Sequence, residues 1–232
     1  MHSPFDSWRG CSVPEEKLEQ SRFLWRICSG NVLRLTECMR SDAELFSFFS
    51  QLIFGGTLYQ QGLQEALRQA REKFNYQGVC ENNFVLSHAR RIRLNREVAQ
   101  KLAPREGTLI LRAQPRKGET MSQQTMTIWE GCPLLGCCQS VKKGIRNGLR
   151  YQVINIQEEH VVLEREGQET RLTYDEVKLY TRMAWARTIA SVQGDEVTGS
   201  LRIWDTQSKH FTMRHLYVSL SRARDATLVS VM

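Results

Sequence analysis

The sequence has no apolar run as long as the roughly 18 residues that a transmembrane helix requires. It has no two cysteines in a CxxC spacing, and the group Cys132, Cys137 and Cys138 has no histidine near it except His160. Zinc needs four ligands at compact spacing, so no metal site is expected. No repeat or low-complexity segment occurs either. Together these absences favour an ordinary folded, enzyme-like chain.

Disulfides are also disfavoured, although the chain contains seven cysteines. The number is odd, and no signal-peptide pattern precedes them. We therefore expect free thiols in a reducing intracellular compartment, the nucleus or the cytoplasm.

The charge balance is basic. The 232 residues include 32 Lys and Arg against 25 Asp and Glu, which gives a net charge of +7. A basic surface favours polyanionic partners through contacts with phosphate groups. Solubility alone is the alternative explanation.

Helical spacing dominates the first half of the chain. Residues 1–20 carry prolines and mixed charges, so we expect a leader or flexible arm there. After a cap candidate at Ser41 or Asp42, an apolar stripe predicts a helix that Gly55 and Gly56 stop. Residues 62–74 predict a second helix. The two stripes are Leu45, Phe48, Phe49 and Leu52, and then Leu63, Leu67 and Ala70.

Two further segments predict strands next to polar loops. Phe84 to Leu86 form a short buried strand that turns into a helix carrying Ile92, Val98 and Leu102, which is typical of α/β folds. At the end of the chain, Tyr217 to Ser221 read as a strand, followed by a polar loop and another apolar strand.

Short alternating runs follow Pro104, and Asn147-Gly148 is a tight-turn signal. We predict an α/β domain with a parallel sheet, interrupted by a small antiparallel β insertion that forms a barrel or a sandwich. The domains would be an arm over 1–20, the first part of the α/β domain over 21–128, the β insertion over 129–180, and the last part over 181–232.

Three polar loops stand at the ends of the predicted α/β elements, around Arg40, Gln193 and Arg222. Ligands of open parallel sheets collect at the carboxyl ends of the strands. An arginine there can neutralise charge on the γ-phosphoryl group of a nucleotide.

The segments Thr188–Gly194 (TIASVQG) and Tyr217–Ala223 (YVSLSRA) resemble the paired motifs T-I-H-K-S-Q-G and Y-V-A-L-S-R-A. These motifs belong to the second motor domain of superfamily 1 DNA helicases, RecD-like and UvrD-like. LTECMRSD, VLSHARRIRLN and IRNGLRYQVINI are similar to other segments of that domain. The resemblance follows the family's order from Val32 to Met232. It implies a RecA-like parallel-sheet motor domain over 21–128 and 181–232, with an inserted small antiparallel β-barrel over 129–180.

The resemblance implies a role for particular residues. Two arginines would face the nucleotide phosphates, three residues would bind the nucleotide or couple it to the strand, and three would contact nucleic acid. These sets are catalytic Arg222 and Arg40; nucleotide-binding Gln193, Gly194 and Glu196; and nucleic-acid-binding Thr188, His88 and Asn95. In this chain Ala190, Ser191 and Val192 replace the family's His-Lys-Ser.

Several basic and aromatic residues have two interpretations. Lys142 and Lys143, with Arg146 and Arg150, line a turn and could follow a phosphate backbone, or they could form a solvated face. Arg90, Arg91 and Arg93 are ambiguous in the same way. The tryptophans could stack on bases or fill a core, which we favour for Trp185; they are Trp129, Trp185 and Trp204.

No P-loop, GxxxxGK[ST], occurs in the sequence. The resemblance therefore implies the C-terminal motor half of an ATP-dependent helicase, with its first domain in a longer protein or another chain. ATP and Mg²⁺ would bind only with that P-loop domain, and this chain alone would not hydrolyse ATP. The expected partner is single-stranded DNA, with no membrane. The alternatives are a non-catalytic nucleic-acid-binding remnant and an RNA helicase segment.

Overall fold

The computed structural model describes residues 22–29, 31, 38–53, 55–113 and 124–232. The chain divides into two compact units. Unit 1 combines residues up to 84 with residues from 192 onward, and unit 2 comprises residues 85–191. The predicted arm over 1–20 lies outside the described residues, and the domain boundaries given above stay a prediction.

The helices and strands are numbered in chain order. The helices are α1 Arg22–Ile27, α2 Ala43–Ser50, α3 Thr57–Gln61, α4 Leu63–Lys73, α5 His88–Leu102, α6 Tyr174–Tyr180 and α7 Met213–Leu220. The strands are β1 Asn82–Val85, β2 Leu109–Leu111, β3 Met126–Ile128, β4 Pro133–Gly136, β5 Arg150–Ile156, β6 His160–Arg165, β7 Gln168–Thr173, β8 Thr181–Met183, β9 Ala186–Thr188, β10 Leu201–Ile203 and β11 Val229–Val231.

Helix α2 confirms the helix predicted after Ser41 and identifies its cap as Asp42. The Asp42 carboxylate accepts a hydrogen bond from the backbone N–H of Leu45 at 2.7 Å, which satisfies one of the free donors of the first turn. The helix ends at Ser50, one turn before the predicted glycine stop. Its Phe48 ring meets Phe74 edge-on at 5.0 Å between centroids, which anchors the helix in the core of unit 1.

A parallel sheet forms the centre of unit 1. Strand β10 lies between β1 and β11 and pairs in parallel with both, with Leu201 opposite Asn82 on one side and Val229 on the other. The residues of β1 and β11 are all buried, as expected for a parallel sheet covered on both faces.

The segment Tyr217 to Ser221 was predicted to be a strand, and this prediction is wrong. The segment forms the end of helix α7 and its C-terminal cap. A reciprocal cap starts this helix: the Thr212 hydroxyl accepts from the backbone N–H of His215, and the His215 ring accepts from that of Thr212. Leu216 and Leu220, one turn apart, are both fully buried. The cap and this four-residue spacing favour the helix over an extended chain.

An antiparallel sheet forms the centre of unit 2, as the alternating runs predict. Its five strands lie in the order β7-β6-β5-β4-β8, and β2 pairs separately with β3. Leu134, Val153, Leu163 and Leu172 are fully buried within its core. The predicted fold class is confirmed. Unit 1 is an α/β unit with a parallel sheet, and unit 2, with its antiparallel sheet, is inserted in the sequence between the two segments of unit 1.

Helix α5 follows β1 as predicted. Of the apolar residues named for it, Leu102 is 42% exposed, and Ile92 and Val98 are half-buried. The buried positions are Arg91, Leu94, Asn95 and Ala99. The face that packs inside unit 2 therefore includes two polar residues.

Candidate functional site

Three segments that the sequence places at loop ends meet in unit 1. The hydroxyl of Ser41 donates to the carbonyl of Ala223 at 2.7 Å. The backbone N–H of Val197 donates to the carbonyl of Arg222 at 3.0 Å. The loops around Arg40, Gln193 and Arg222 therefore form one connected structure.

Asp42 fixes two of these segments with one carboxylate. One oxygen caps helix α2, and the other accepts from the backbone N–H of Ala226 at 2.5 Å. The backbone N–H of Asp42 donates to the carbonyl of Arg224 at 2.9 Å. The start of α2 and the loop after α7 thus share a set of hydrogen bonds.

Arg222 is half-buried, and other parts of the protein hold its guanidinium. One terminal nitrogen donates to the carbonyl of Asp195 at 3.2 Å, and the other donates to the hydroxyl of Ser221 at 3.0 Å. Burial and the nearby positive charge of Arg40 lower the pKa of Arg222. Arg40 is exposed, so two cations lie close together beside the solvent. We call Arg40, Arg222, Arg224 and Glu196 the unit 1 arginine site.

Glu196 is paired within this site. Its carboxylate accepts from Arg224 Nε at 2.5 Å, and this hydrogen bond lowers the pKa of Glu196. Both side chains are partly exposed, at 37% and 56%. The predicted nucleotide-binding role of Glu196 stays a prediction. Sequence reasoning missed the partnership with Arg224.

The other two predicted nucleotide-binding residues lie on the loop that leads to Glu196. Gln193 is half-buried, and it follows the 3₁₀ turn Ile189–Val192. Gly194 is exposed with φ of +85°, a conformation that glycine adopts without strain. Their predicted roles are not tested by these positions.

The predicted nucleic-acid contacts of unit 2 lie in different environments. Thr188 ends strand β9 and is 5% exposed, and His88 is exposed at the first position of α5. Asn95 is buried, and its amide both accepts from and donates to the backbone of Ala186, at 2.8 and 3.2 Å. Asn95 thus joins α5 to β9. Nucleic-acid contact by these three residues stays a prediction.

The two predicted lysines differ as well. Lys142 is exposed, whereas Lys143 Nζ lies 2.6 Å from a carboxylate oxygen of Glu176. The predicted tight turn Asn147–Gly148 nearby is present, with Gly148 at φ of +81°.

The tryptophans of unit 2 support the core interpretation. Trp129 and Trp185 stack at 6.4 Å between ring centroids, and both pack against the buried core of that unit. In unit 1, Trp204 donates from its indole nitrogen to the Asn83 side chain at 2.9 Å.

The residues fit a phosphate group but not a metal ion. Guanidinium groups such as Arg40 and Arg222 match phosphate oxygens. Among the described residues, no group of three or more His, Cys, Asp or Glu side chains could hold a metal ion. Within those same ranges, every helix is too short or too polar to cross a membrane.

No protein-family model matches the sequence, and no curated protein does either. Solved helicase structures share its fold. Pif1 from Bacteroides bound to ssDNA has a TM-score of 0.61 at 17% identity, over 86% of this chain and 51% of that one. Bacteroides Pif1 in complex with ADP-AlF3 and ssDNA has a TM-score of 0.59 at 18% identity, over 86% of this chain and 51% of that one. Candida albicans Pif1 has a TM-score of 0.57 at 12% identity, over 88% of this chain and 57% of that one.

The chain spans about half the length of these helicases, between 51% and 57% of each. At identities of 12% to 18%, the likeness shows the RecA-like fold and nothing beyond it.

Proposed function

We propose that this chain is the second motor domain of an ATP-dependent superfamily 1 DNA helicase of the RecD-like or UvrD-like kind. It would supply arginines to a nucleotide held by a P-loop domain that this sequence does not contain. The observation that carries the proposal is the convergence in unit 1 of three separate segments around Arg40 and Arg222. The proposal is supported by two structures that share the fold, Bacteroides Pif1 bound to ssDNA and Bacteroides Pif1 in complex with ADP-AlF3 and ssDNA.

In this proposal, Arg222 neutralises charge on the γ-phosphoryl group during its transfer. Its guanidinium is held by Ser221 and the carbonyl of Asp195, so little ordering remains when the phosphate arrives. Burial of Arg222 strengthens its interaction with a phosphate, because the local dielectric constant is low. Arg40 would supply a second, more exposed positive charge.

Glu196 and Gln193 would face the rest of the nucleotide. The Glu196 carboxylate can accept a hydrogen bond from a ribose hydroxyl or from Arg224, which it contacts now. Gly194 presents a backbone without a side chain between them, which permits close approach of a ligand. In this proposal the P-loop domain, and not this chain, holds Mg²⁺.

Single-stranded DNA would lie along unit 2, where Thr188, His88, Asn95, Lys142 and Lys143 are the proposed contacts. A short hydroxyl at a strand end and an exposed lysine such as Lys142 suit phosphate oxygens. Because such contacts read the backbone, the proposed binding is not specific for sequence. The net charge of +7 agrees with this expectation.

The test is to mix the chain with its cognate P-loop domain, meaning the P-loop domain encoded upstream or beside it in the genome. ATP hydrolysis is measured with and without oligo(dT). We expect neither part alone to turn over ATP and the mixture to do so with stimulation by the strand. A mixture that binds oligo(dT) without hydrolysing ATP would contradict the motor and support the non-catalytic remnant. Equal stimulation by oligo(U) would indicate an RNA substrate.

A further inference from the structure

One arginine of unit 2 is buried and has no side-chain partner among the described residues. Arg91, in the first turns of α5, is 5% exposed. Its Nε and one Nη are inaccessible to solvent and make no hydrogen bond to any described residue. Buried guanidinium groups are normally paired, because losing water without gaining a partner is unfavourable.

A second arginine shares this environment. Arg182, on strand β8, has a buried Nε that also makes no hydrogen bond among the described residues. It lies opposite Leu135 of β4, and its positive charge acts on Arg91 and on His88 at the start of α5. We call the two side chains the Arg91–Arg182 pair.

No anion of the described protein compensates the Arg91–Arg182 pair. Burial and the charge of Arg182 lower the pKa of Arg91 to about 10, so Arg91 remains positive at neutral pH. The Cys137 thiol is close enough to influence both arginines, and burial raises its pKa to about 11. The thiol is therefore neutral. No carboxylate contributes to the electrostatic environment of either arginine.

The start of helix α5 adds further attraction for an anion. The helix has 15 residues, and its first turn contains no acidic side chain. The Ser87 hydroxyl caps the backbone N–H of Arg90, and the aligned dipoles of the helix still give its N-terminus a partial positive charge. His88, the first residue, is exposed and lies close enough to the pair for both arginines to influence it.

We propose that Arg91 and Arg182 form a binding site for one oxyanion, a phosphate group, beside the N-terminus of α5. Arg182, which is half-buried, would meet the phosphate from the solvent side and Arg91 from below. Two planar guanidinium groups match the oxygens of a phosphate. The site lies in unit 2 and does not include any residue of the unit 1 arginine site.

The phosphate can come from a nucleic-acid backbone or from a free phosphate ion. If the phosphate belongs to a nucleic acid, the site is one of the contacts of the proposed motor domain with its strand, and that interpretation rests on the proposed function. The experiment uses this chain alone and measures no ATP turnover, so its failure is separate from failure of the motor proposal.

The variants are Arg91→Met and Arg182→Met, which keep an apolar stem of similar length. The control is Arg96→Met, because Arg96 lies on the same helix and is exposed. The first measurement is the unfolding temperature in millimolar phosphate and in chloride of the same ionic strength. The second is the anisotropy of a fluorescein-labelled oligo(dT) strand across a range of salt concentrations.

For the wild-type chain and Arg96→Met, we expect phosphate to raise the unfolding temperature by a few degrees. Both pair variants should lose this response. In chloride, Arg91→Met should unfold at or above the wild-type temperature, because an uncompensated buried charge has been removed. A merely structural arginine would give a destabilised variant that keeps the phosphate response.

If the phosphate belongs to a nucleic acid, Arg182→Met should bind oligo(dT) about tenfold more weakly. The slope of log binding constant against log salt concentration should also become shallower by about 0.7, which corresponds to the loss of roughly one phosphate contact. If oligo(dT) binding is unchanged while the phosphate response is lost, the site takes free phosphate. The proposal is overturned if phosphate does not raise the unfolding temperature of the wild-type chain and both pair variants bind oligo(dT) as the wild type does.

Discussion

The two arginine groups of this protein are built in opposite ways. In unit 1, Arg222 donates to Asp195 and Ser221, and Arg224 is paired with Glu196. In unit 2, the buried nitrogens of the Arg91–Arg182 pair have no partner among the described residues. The difference separates arginines that the protein itself positions from arginines whose charge is left for an outside anion.

The largest expected effect concerns the positioned arginine. Arg222→Ala in the mixture with the cognate P-loop domain should reduce ATP turnover by about 10³-fold or more, because the charge on the transferring phosphoryl group loses its counterion. Steady-state hydrolysis at saturating oligo(dT) measures this. The matched control is Arg68→Ala, which removes an exposed arginine of unit 1 paired only with Glu65 and Glu72.

Turnover that falls equally in Arg68→Ala would show that loss of a surface charge is enough. Unchanged turnover in Arg222→Ala would remove the proposed distinction between the two arginine groups.

A substitution in unit 2 tests whether Asn95 positions the helix or contacts a ligand. Asn95→Ala removes the side chain that bonds to the buried N–H and carbonyl of Ala186, so the free energy of unfolding should fall by about 3 kcal/mol. Urea denaturation measures this loss. The control is Gln100→Ala, an exposed amide on the same helix. Normal stability with weaker oligo(dT) binding would instead favour the predicted nucleic-acid contact.

The corresponding test in unit 1 is Asp42→Ala. The variant loses the cap of α2 and the bond to Ala226, which should lower the free energy of unfolding by about 2 kcal/mol. Asp42→Asn is the matched variant, because its one amide oxygen can replace only one of the two bonds. It should lie between Ala and the wild type. A fully stable Asp42→Ala variant would show that these contacts do not organise the unit 1 arginine site.

The smallest effect is a dependence on pH. Burial lowers the pKa of His215, whose neutral ring accepts from Thr212 at the start of α7. The unfolded chain therefore binds more protons just below the ordinary histidine pKa of about 6.5, so stability should fall as the pH drops through that value.

The loss should reach about 1 kcal/mol, the usual contribution of a helix cap, and thermal unfolding between neutral and mildly acidic pH measures it. His215→Gln should flatten this dependence. His210→Gln, which changes an exposed histidine, should retain it. An unchanged slope in His215→Gln would assign the titration to another group.

Local signals in the sequence predicted much of the fold. The cap at Asp42, the tight turn at Asn147-Gly148 and the alternating strands of unit 2 each depend on neighbours a few residues apart. The apolar run at Tyr217 was misread as a strand because its cap uses His215, which is not the usual Glu or Gln of a capping box.

The arrangement of the site depended on contacts between distant residues. The sequence placed Arg40, Gln193 and Arg222 on loops at the ends of α/β elements, and their roles in a site stay predictions. The Glu196–Arg224 pair joins positions 28 residues apart, and no local pattern indicates it. The burial of Arg91 was also missed. Arg91 lies on the same buried face of α5 as Asn95, one turn later, whose side chain bonds to β9.

The most direct test of the account is whether Arg222 senses the phosphate position of a nucleotide. The measurement is the affinity between this chain and its cognate P-loop domain, with and without ADP and aluminium fluoride. We predict that the nucleotide analogue tightens the wild-type complex by at least about tenfold, and that Arg222→Ala abolishes this tightening. Equal tightening in the variant would contradict the proposed role of Arg222.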